Sequence, residues 1–168
     1  RFGYPISETD SISFGVNAES VDLQTFTNSP LSYVNFVNQF GSRYAYGAAT
    51  VGLGQDTRDS AIQTTKGTLA RTSVELAGGD LQYYRVNVQY QWFRPLTRVF
   101  TLALNGEVGF THGLGNKSVP FFKNYYVGGP GSVRGYRPFS LGPRDADGNS
   151  LGGTRKMVGS AEVQFPVP

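Results

Sequence analysis

Apolar and polar side chains alternate with a period of two along most of this chain. That period separates alternate residues onto opposite faces of a β-strand, and six segments carry it. In the first, Ile12, Phe14, Val16 and Ala18 alternate with Ser11, Ser13, Gly15, Asn17 and Glu19. The second, about 43–54, is rich in Gly and Ala and has the faintest pattern. The third sets Ala70, Thr72, Val74 and Leu76 against Arg71, Ser73 and Glu75. The fourth sets Tyr84, Val86, Val88, Tyr90 and Trp92 against Arg85, Asn87, Gln89 and Gln91. In the fifth, Phe100, Leu102, Leu104, Val108 and Phe110 oppose Thr101, Ala103, Asn105, Glu107 and Thr111. In the sixth, Gly159, Ala161, Val163 and Phe165 oppose Ser160, Glu162 and Gln164.

The runs span about 7–12 residues, and the longer ones have the length of a tilted membrane strand. Every charge in the five clear runs (Glu19, Arg71, Glu75, Arg85, Glu107, Glu162) lies on the polar face. A membrane barrel has this pattern, apolar toward lipid and polar toward a wet lumen. A soluble sheet with one face on a core alternates in the same way. Connection lengths favour the barrel. Residues 24–42, 77–81 and 112–155 fall on one side of the sheet, and 1–10, 55–67, 94–98 and 166–168 on the other. The two longest connections therefore share a side, as the outer loops of such barrels do. The expected fold is all-β: an antiparallel transmembrane barrel segment of about six strands with one short helix in an outer loop. Six strands are fewer than the ~8 of the smallest membrane barrels, and open edges cannot face lipid. The chain is therefore expected to be the central part of a larger barrel, without first or last strands or periplasmic domains. Its start, Arg1-Phe2-Gly3-Tyr4-Pro5, and its end, Phe165-Pro166-Val167-Pro168, fit that expectation.

Composition removes several functions. There is no Cys and one His, His112, which excludes thiol chemistry, Cys-based zinc sites and His clusters. A net charge of +3 is too small and too scattered to argue for nucleic acid. Asp145-Ala146-Asp147-Gly148-Asn149 fails the calcium-loop pattern, with Ser150 where Gly is required and Lys156 where Glu is. The glycines from 128 to 135 lack a phosphate-loop ending. Glu107 and Glu162 read as lumen-wall charges rather than a hydrolytic pair, and Asn116-Lys117-Ser118 matches a glycosylation acceptor by letters alone. No cofactor, metal or catalytic group is expected.

Ser29 as N-cap, Pro30 at the first helical position and Gly41 as terminator predict a helix carrying Leu31, Val34, Val37 and Phe40. It reads as a small lid on the base of its loop; resting on the membrane surface is the alternative. Tyr83, Tyr84, Trp92, Phe93, Phe121, Phe122, Tyr125 and Tyr126 cluster near strand ends, as interfacial aromatic girdles do.

The 44-residue connection 112–155 is too rich in aromatics and paired glycines for a disordered linker. It contains Tyr126-Val127-Gly128-Gly129, then Val133-Arg134-Gly135-Tyr136, then Leu141-Gly142-Pro143. Together these resemble the signature sixth-loop motif of the BamA family of outer-membrane protein assembly factors. Phe2-Gly3-Tyr4-Pro5 with Asp10-Ser11, the turn 56–67 and Ser160-Ala161-Glu162 resemble further parts of that barrel.

The resemblance covers the chain and implies strands seven to twelve of a sixteen-stranded barrel in a bacterial outer membrane. It implies a loop folded into the lumen, supported by Gly128, Gly129, Gly142 and Pro143, with Arg134 meeting Glu162. It also implies a non-enzymatic function: folding and inserting unfolded outer-membrane protein clients, with accessory lipoproteins and membrane lipid as partners. Independently, a buried Arg134 would need a carboxylate, and Glu162 is on the polar face. Breaking such a pair is expected to cost roughly 3–5 kcal/mol, and less in a wet lumen. A two-partner-secretion or TamA-like transporter, a passive porin-like channel and a soluble adhesion sheet are the competing readings.

Overall fold

The computed structural model describes residues 2–115 and 117–166. The acceptor residue Asn116 and the terminal Arg1, Val167 and Pro168 lie outside the described residues. The strands are β1 (Phe2–Pro5), β2 (Asp10–Asp22), β3 (Arg43–Asp56), β4 (Gly67–Gly79), β5 (Tyr83–Pro95), β6 (Thr101–Gly113) and β7 (Arg155–Gln164). They form one antiparallel sheet in sequence order. One helix, α1 (Leu31–Phe40), lies between β2 and β3, and a single 3-10 turn covers Phe121–Lys123.

Among the described residues there are seven strands rather than six. Phe2–Pro5, read above as part of a connection, pairs with β2 from Phe2↔Phe14 to Pro5↔Ser11. Four residues containing Gly3 and Pro5 are too few to display a period. Strands β2 to β6 run 13 or 14 residues, longer than the alternating runs, because pairing continues beyond the band where the faces differ in polarity. β7 begins at Arg155, four residues before the expected start.

The register carries each face unbroken across the sheet. Val16 lies beside Ala49, Ala49 beside Leu76, Leu76 beside Tyr84 and Tyr84 beside His112. On the other face Ser13, Gly52, Ser73, Asn87, Gly109 and Lys156 follow in the same way. The apolar face is uncovered: Val16 is 82% exposed and Met157 87%. Burial is mainly on the opposite face; Leu69, Thr101 and Ala103 are buried near the short turns, and the largest cluster is at the end nearest the long loops. There Tyr44, Tyr46, Ala48, Ala77, Leu81 and Tyr83 form a core, with Val21, Leu23, Phe36 and Phe122 packed on it.

This placement corrects much of the girdle expectation. Tyr83 is fully buried on the loop-covered face, and Phe93 lies on that same face opposite Ala103. Phe121, Phe122, Tyr125 and Tyr126 are loop residues packed against protein. Tyr84 and Trp92 do lie on the uncovered face.

Helix α1 forms where expected, with Gly41 at φ 88° and its N–H donating to the Val37 carbonyl. Ser29 does not cap it. Its Oγ instead accepts from the Phe26 N–H at 2.9 Å, and Pro30 is the cap position. The helix is a lid on its loop base: the Tyr33 ring stacks on Phe121 at 3.8 Å, and Phe36 meets Phe121 edge-on at 5.6 Å.

The opposite end has short turns, and the longest, 57–66, is organised by Asp59. Its carboxylate accepts from the Thr65 hydroxyl, the Thr65 N–H at 2.9 Å and the Lys66 N–H at 3.2 Å. The Thr65 hydroxyl, then its N–H, hold the Asp59 carboxyl down at about 2. The folded turn thus binds the proton less readily than an open one. Its stabilisation is complete above the ordinary carboxylate range and is lost as pH falls from about 4 through 2.

Two predictions follow from this placement. A carboxyl-carbon NMR titration should give Asp59 a midpoint near 2, with amide exchange of Thr65 and Lys66 accelerating only below about pH 4. On the uncovered face, Val88 lies mid-strand between Thr72 and Val108. Val88→Arg should cost about 2–4 kcal/mol when the barrel is unfolded from lipid. A water-facing site would change by less than about 0.5 kcal/mol.

Candidate functional site

The 112–155 loop is tied to itself before it touches the wall. Tyr125 and Gly153 exchange backbone hydrogen bonds of 2.8 and 2.9 Å, drawing its two arms together. Beyond them, Val127 bridges Leu141, Gly129 bridges Val133 and Arg144 bridges Ser150. Left-handed backbone is used at the crossings. Gly128, at φ 118°, leaves no room for a Cβ, which would stand 2.6 Å from the Arg137 carbonyl oxygen. Gly129 is similarly close to Pro138, at 3.1 Å. Gly142 also has positive φ, in open space, and the Pro143 carbonyl accepts from the Leu151 N–H at 2.9 Å.

Tyr125 seats the loop on the sheet. Its ring covers Gly109 so closely that a Cβ there would stand 2.6 Å from Cζ. Arg85 Nε donates to the Tyr125 hydroxyl at 3.0 Å, and that hydroxyl donates to Asn87 Oδ1 at 2.8 Å. The Arg85 guanidinium also lies 4.2 Å from the ring centroid. Tyr125 is 8% exposed, so its ring is largely withdrawn from water. Lys123 makes a second seat, 3.3 Å from Glu19 Oε2 and 5.0 Å from the Tyr46 ring centre, while the Tyr46 hydroxyl donates to Glu19. Tyr126 joins the helix, its hydroxyl 2.9 Å from that of Tyr33.

The signature residues lie further along. Val133 closes the bridge with Gly129, and Arg134 Nη1 stands 3.4 Å from Glu162 Oε1. Glu162 is on the loop-covered face of β7, opposite Ala103. Gly135 has φ 86°, and the Tyr136 ring is half exposed. The Arg134 side chain is 75% exposed and that of Glu162 36%. The guanidinium is thus solvated rather than buried, which brings the expected worth of the pair from roughly 3–5 kcal/mol down to about 0–1.

Glu107 has partners of its own on the wall. Lys156 Nζ stands 2.7 Å from Glu107 Oε2, and Gln89 donates to Glu107 at 3.5 Å. Asp145 accepts from the Asp147 and Asn149 N–H groups and the Asn149 amide, so its carboxylate is engaged within its own turn.

Sequence reasoning missed the Tyr125 seat and Lys156. Tyr125 was read as a girdle residue, and nothing in its spacing reveals the glycine gap at Gly109. Lys156 stood outside the sixth alternating run, although counting the same period back from Glu162 reaches it.

A family model described as the Omp85 superfamily domain matches residues 1–168, and the chain belongs to that superfamily. It is 40% identical to outer membrane protein assembly factor BamA of Neisseria meningitidis serogroup B, over all of this chain and 23% of the relative. It is 34% identical to the mouse sorting and assembly machinery component 50 homolog, over 67% of this chain and 24% of that protein. The chain therefore spans about a quarter of the length of these curated relatives. The crystal structure of BamA from Haemophilus ducreyi lacking POTRA domains 1–3 shares the fold. Its TM-score is 0.85 at 24% identity, over 99% of this chain and 36% of that one.

Removing the Tyr125 hydroxyl takes away the acceptor of Arg85 Nε and the donor to Asn87 Oδ1. Tyr125→Phe should destabilise the loop-covered end by about 1–3 kcal/mol. Urea unfolding of the lipid-embedded barrel measures this, and an unchanged midpoint would remove Tyr125 as the seat.

Proposed function

We propose that this chain is a central wall of a bacterial outer-membrane barrel that folds and inserts other β-barrel proteins, and that its 112–155 loop braces that wall from within. The carrying observation is the Val133-Arg134-Gly135-Tyr136 turn standing over the inner face, with Arg134 3.4 Å from Glu162, in a chain matched end to end by the Omp85 superfamily domain. The names of the relatives support the rest, being an assembly factor of the outer membrane and a sorting and assembly component.

The proposed function is mechanical. An uncovered apolar face sits in lipid, the polar face lines the lumen, and the loop fills the outer end of that lumen. The partners are unfolded outer-membrane protein clients, accessory lipoproteins of the assembly complex and the membrane lipid. In this reading Arg134 tethers the far arm of the loop to β7, while Tyr125 holds the near arm to β5 and β6. A passive pore would leave its lumen open instead of packing Lys123, Tyr125 and Tyr126 into a plug.

The test combines stability with function in the full-length protein. A double-mutant cycle of Arg134→Ala and Glu162→Ala should give a coupling of about 0–1 kcal/mol in barrel unfolding, the range of a solvated pair. The same variants should slow insertion of an unfolded client barrel into liposomes. A coupling well above ~1 kcal/mol would overturn the solvated pair. Undiminished insertion with the loop deleted would overturn the brace itself.

A further inference from the structure

The uncovered face carries charge only at the strand ends. By register, Asp10, Asp22, Arg43, Arg94 and Arg155 are on this face, and every position between them is apolar, small or uncharged. Three of the five are engaged. Arg43 Nε lies 3.1 Å from Asp22 Oδ2, and Asp10 accepts from Gln55, Ser7 and Thr9. Among the described residues, neither Arg94 nor Arg155 forms an ion pair.

The two free cations bracket one apolar band. Arg155 is paired with Phe110 and Arg94 with Leu102 on the shared neighbour β6. Those two positions lie eight residues apart, roughly 27 Å along the strand. A tilt of about 40° reduces that to roughly 21 Å, near the ~25 Å height of a barrel's lipid-facing band.

Arg155 has further structure around it. Its guanidinium carbon lies 5.4 Å from the Phe110 ring centre. The His112 ring stacks on Phe110 at 6.1 Å, and Tyr84 lies 5.8 Å from both rings. The guanidinium rests on an aromatic shelf at the top of the band, its donors free, at the level where acyl chains give way to headgroups.

We propose that Arg155, on the shelf of Phe110, His112 and Tyr84, is a binding site for the phosphate of an anionic lipid in the outer leaflet. The guanidinium takes the phosphate oxygens in forked hydrogen bonds, and the acyl chains lie along Val108 and Met157 beneath it. Acyl chains and phosphate must both be present, since the shelf is open to water and the cation alone would hold a free anion weakly. This rests on the reading of the uncovered face as lipid-facing.

Native mass spectrometry of the full-length protein tests it, using added bis-phosphorylated lipid A and its dephosphorylated form. The wild type should prefer the phosphorylated lipid. Arg155→Ala should bind it about fivefold more weakly, Arg155→Lys should recover part of that, and Arg43→Ala should leave it unchanged. Unfolding midpoints check that the variants fold. Equal binding by wild type and Arg155→Ala would overturn the site, as would full competition by inorganic phosphate. If the wild type retained neither lipid and stayed monodisperse without detergent, the lipid-facing reading itself would fail.

Discussion

Backbone pairing in one fixed register holds this structure together. Each strand from β2 to β6 donates and accepts along both edges, and the six ladders keep the same two faces from Phe2 to Gln164. A slip of one residue in β5 would exchange Val88 for Gln89 on the uncovered side, and one in β6 would exchange Val108 for Glu107. The second exchange would put charge on the uncovered face and leave Lys156 without its carboxylate. The register is therefore enforced from both faces, by polarity on one and by the Lys156–Glu107 and Glu19–Tyr46–Lys123 contacts on the other.

The usual relation between burial and hydrophobicity is reversed in this sheet. Its large aliphatic residues, Val16, Leu53, Leu76 and Met157, are well exposed, while the dry positions under the loops are held mainly by tyrosines and small residues, with Leu81 among them. A tyrosine can pack its ring in such a place and still give its hydroxyl a partner. Tyr83 donates to Glu75, and Tyr44 donates to the Gly41 carbonyl.

Much of the sheet was legible because period two is a local signal: the strands, their polar faces and the side holding the long loops could be read directly. What escaped depended on space rather than spacing. β1 is too short to show a period. The Tyr125 seat exists because Gly109, on a different segment, leaves a gap one ring deep, and no local pattern reports such a gap. The resemblance drew attention to Arg134 and Glu162, which do stand side by side, but exposure makes that contact weaker than a buried pair. The best-enclosed attachment belongs to a tyrosine that the motif does not include.

That attachment also orders the entropy of folding. Arg85, Asn87, Gly109 and Tyr125 come from one hairpin and the dozen residues after it, whereas Tyr33 must close across more than ninety residues to reach Tyr126. Loop-closure cost rises with the length of chain enclosed, and contacts between near neighbours form faster than distant ones. The β5–β6 hairpin can therefore capture the start of its own loop before β7 arrives, and β7 then meets a template on which that start is already seated.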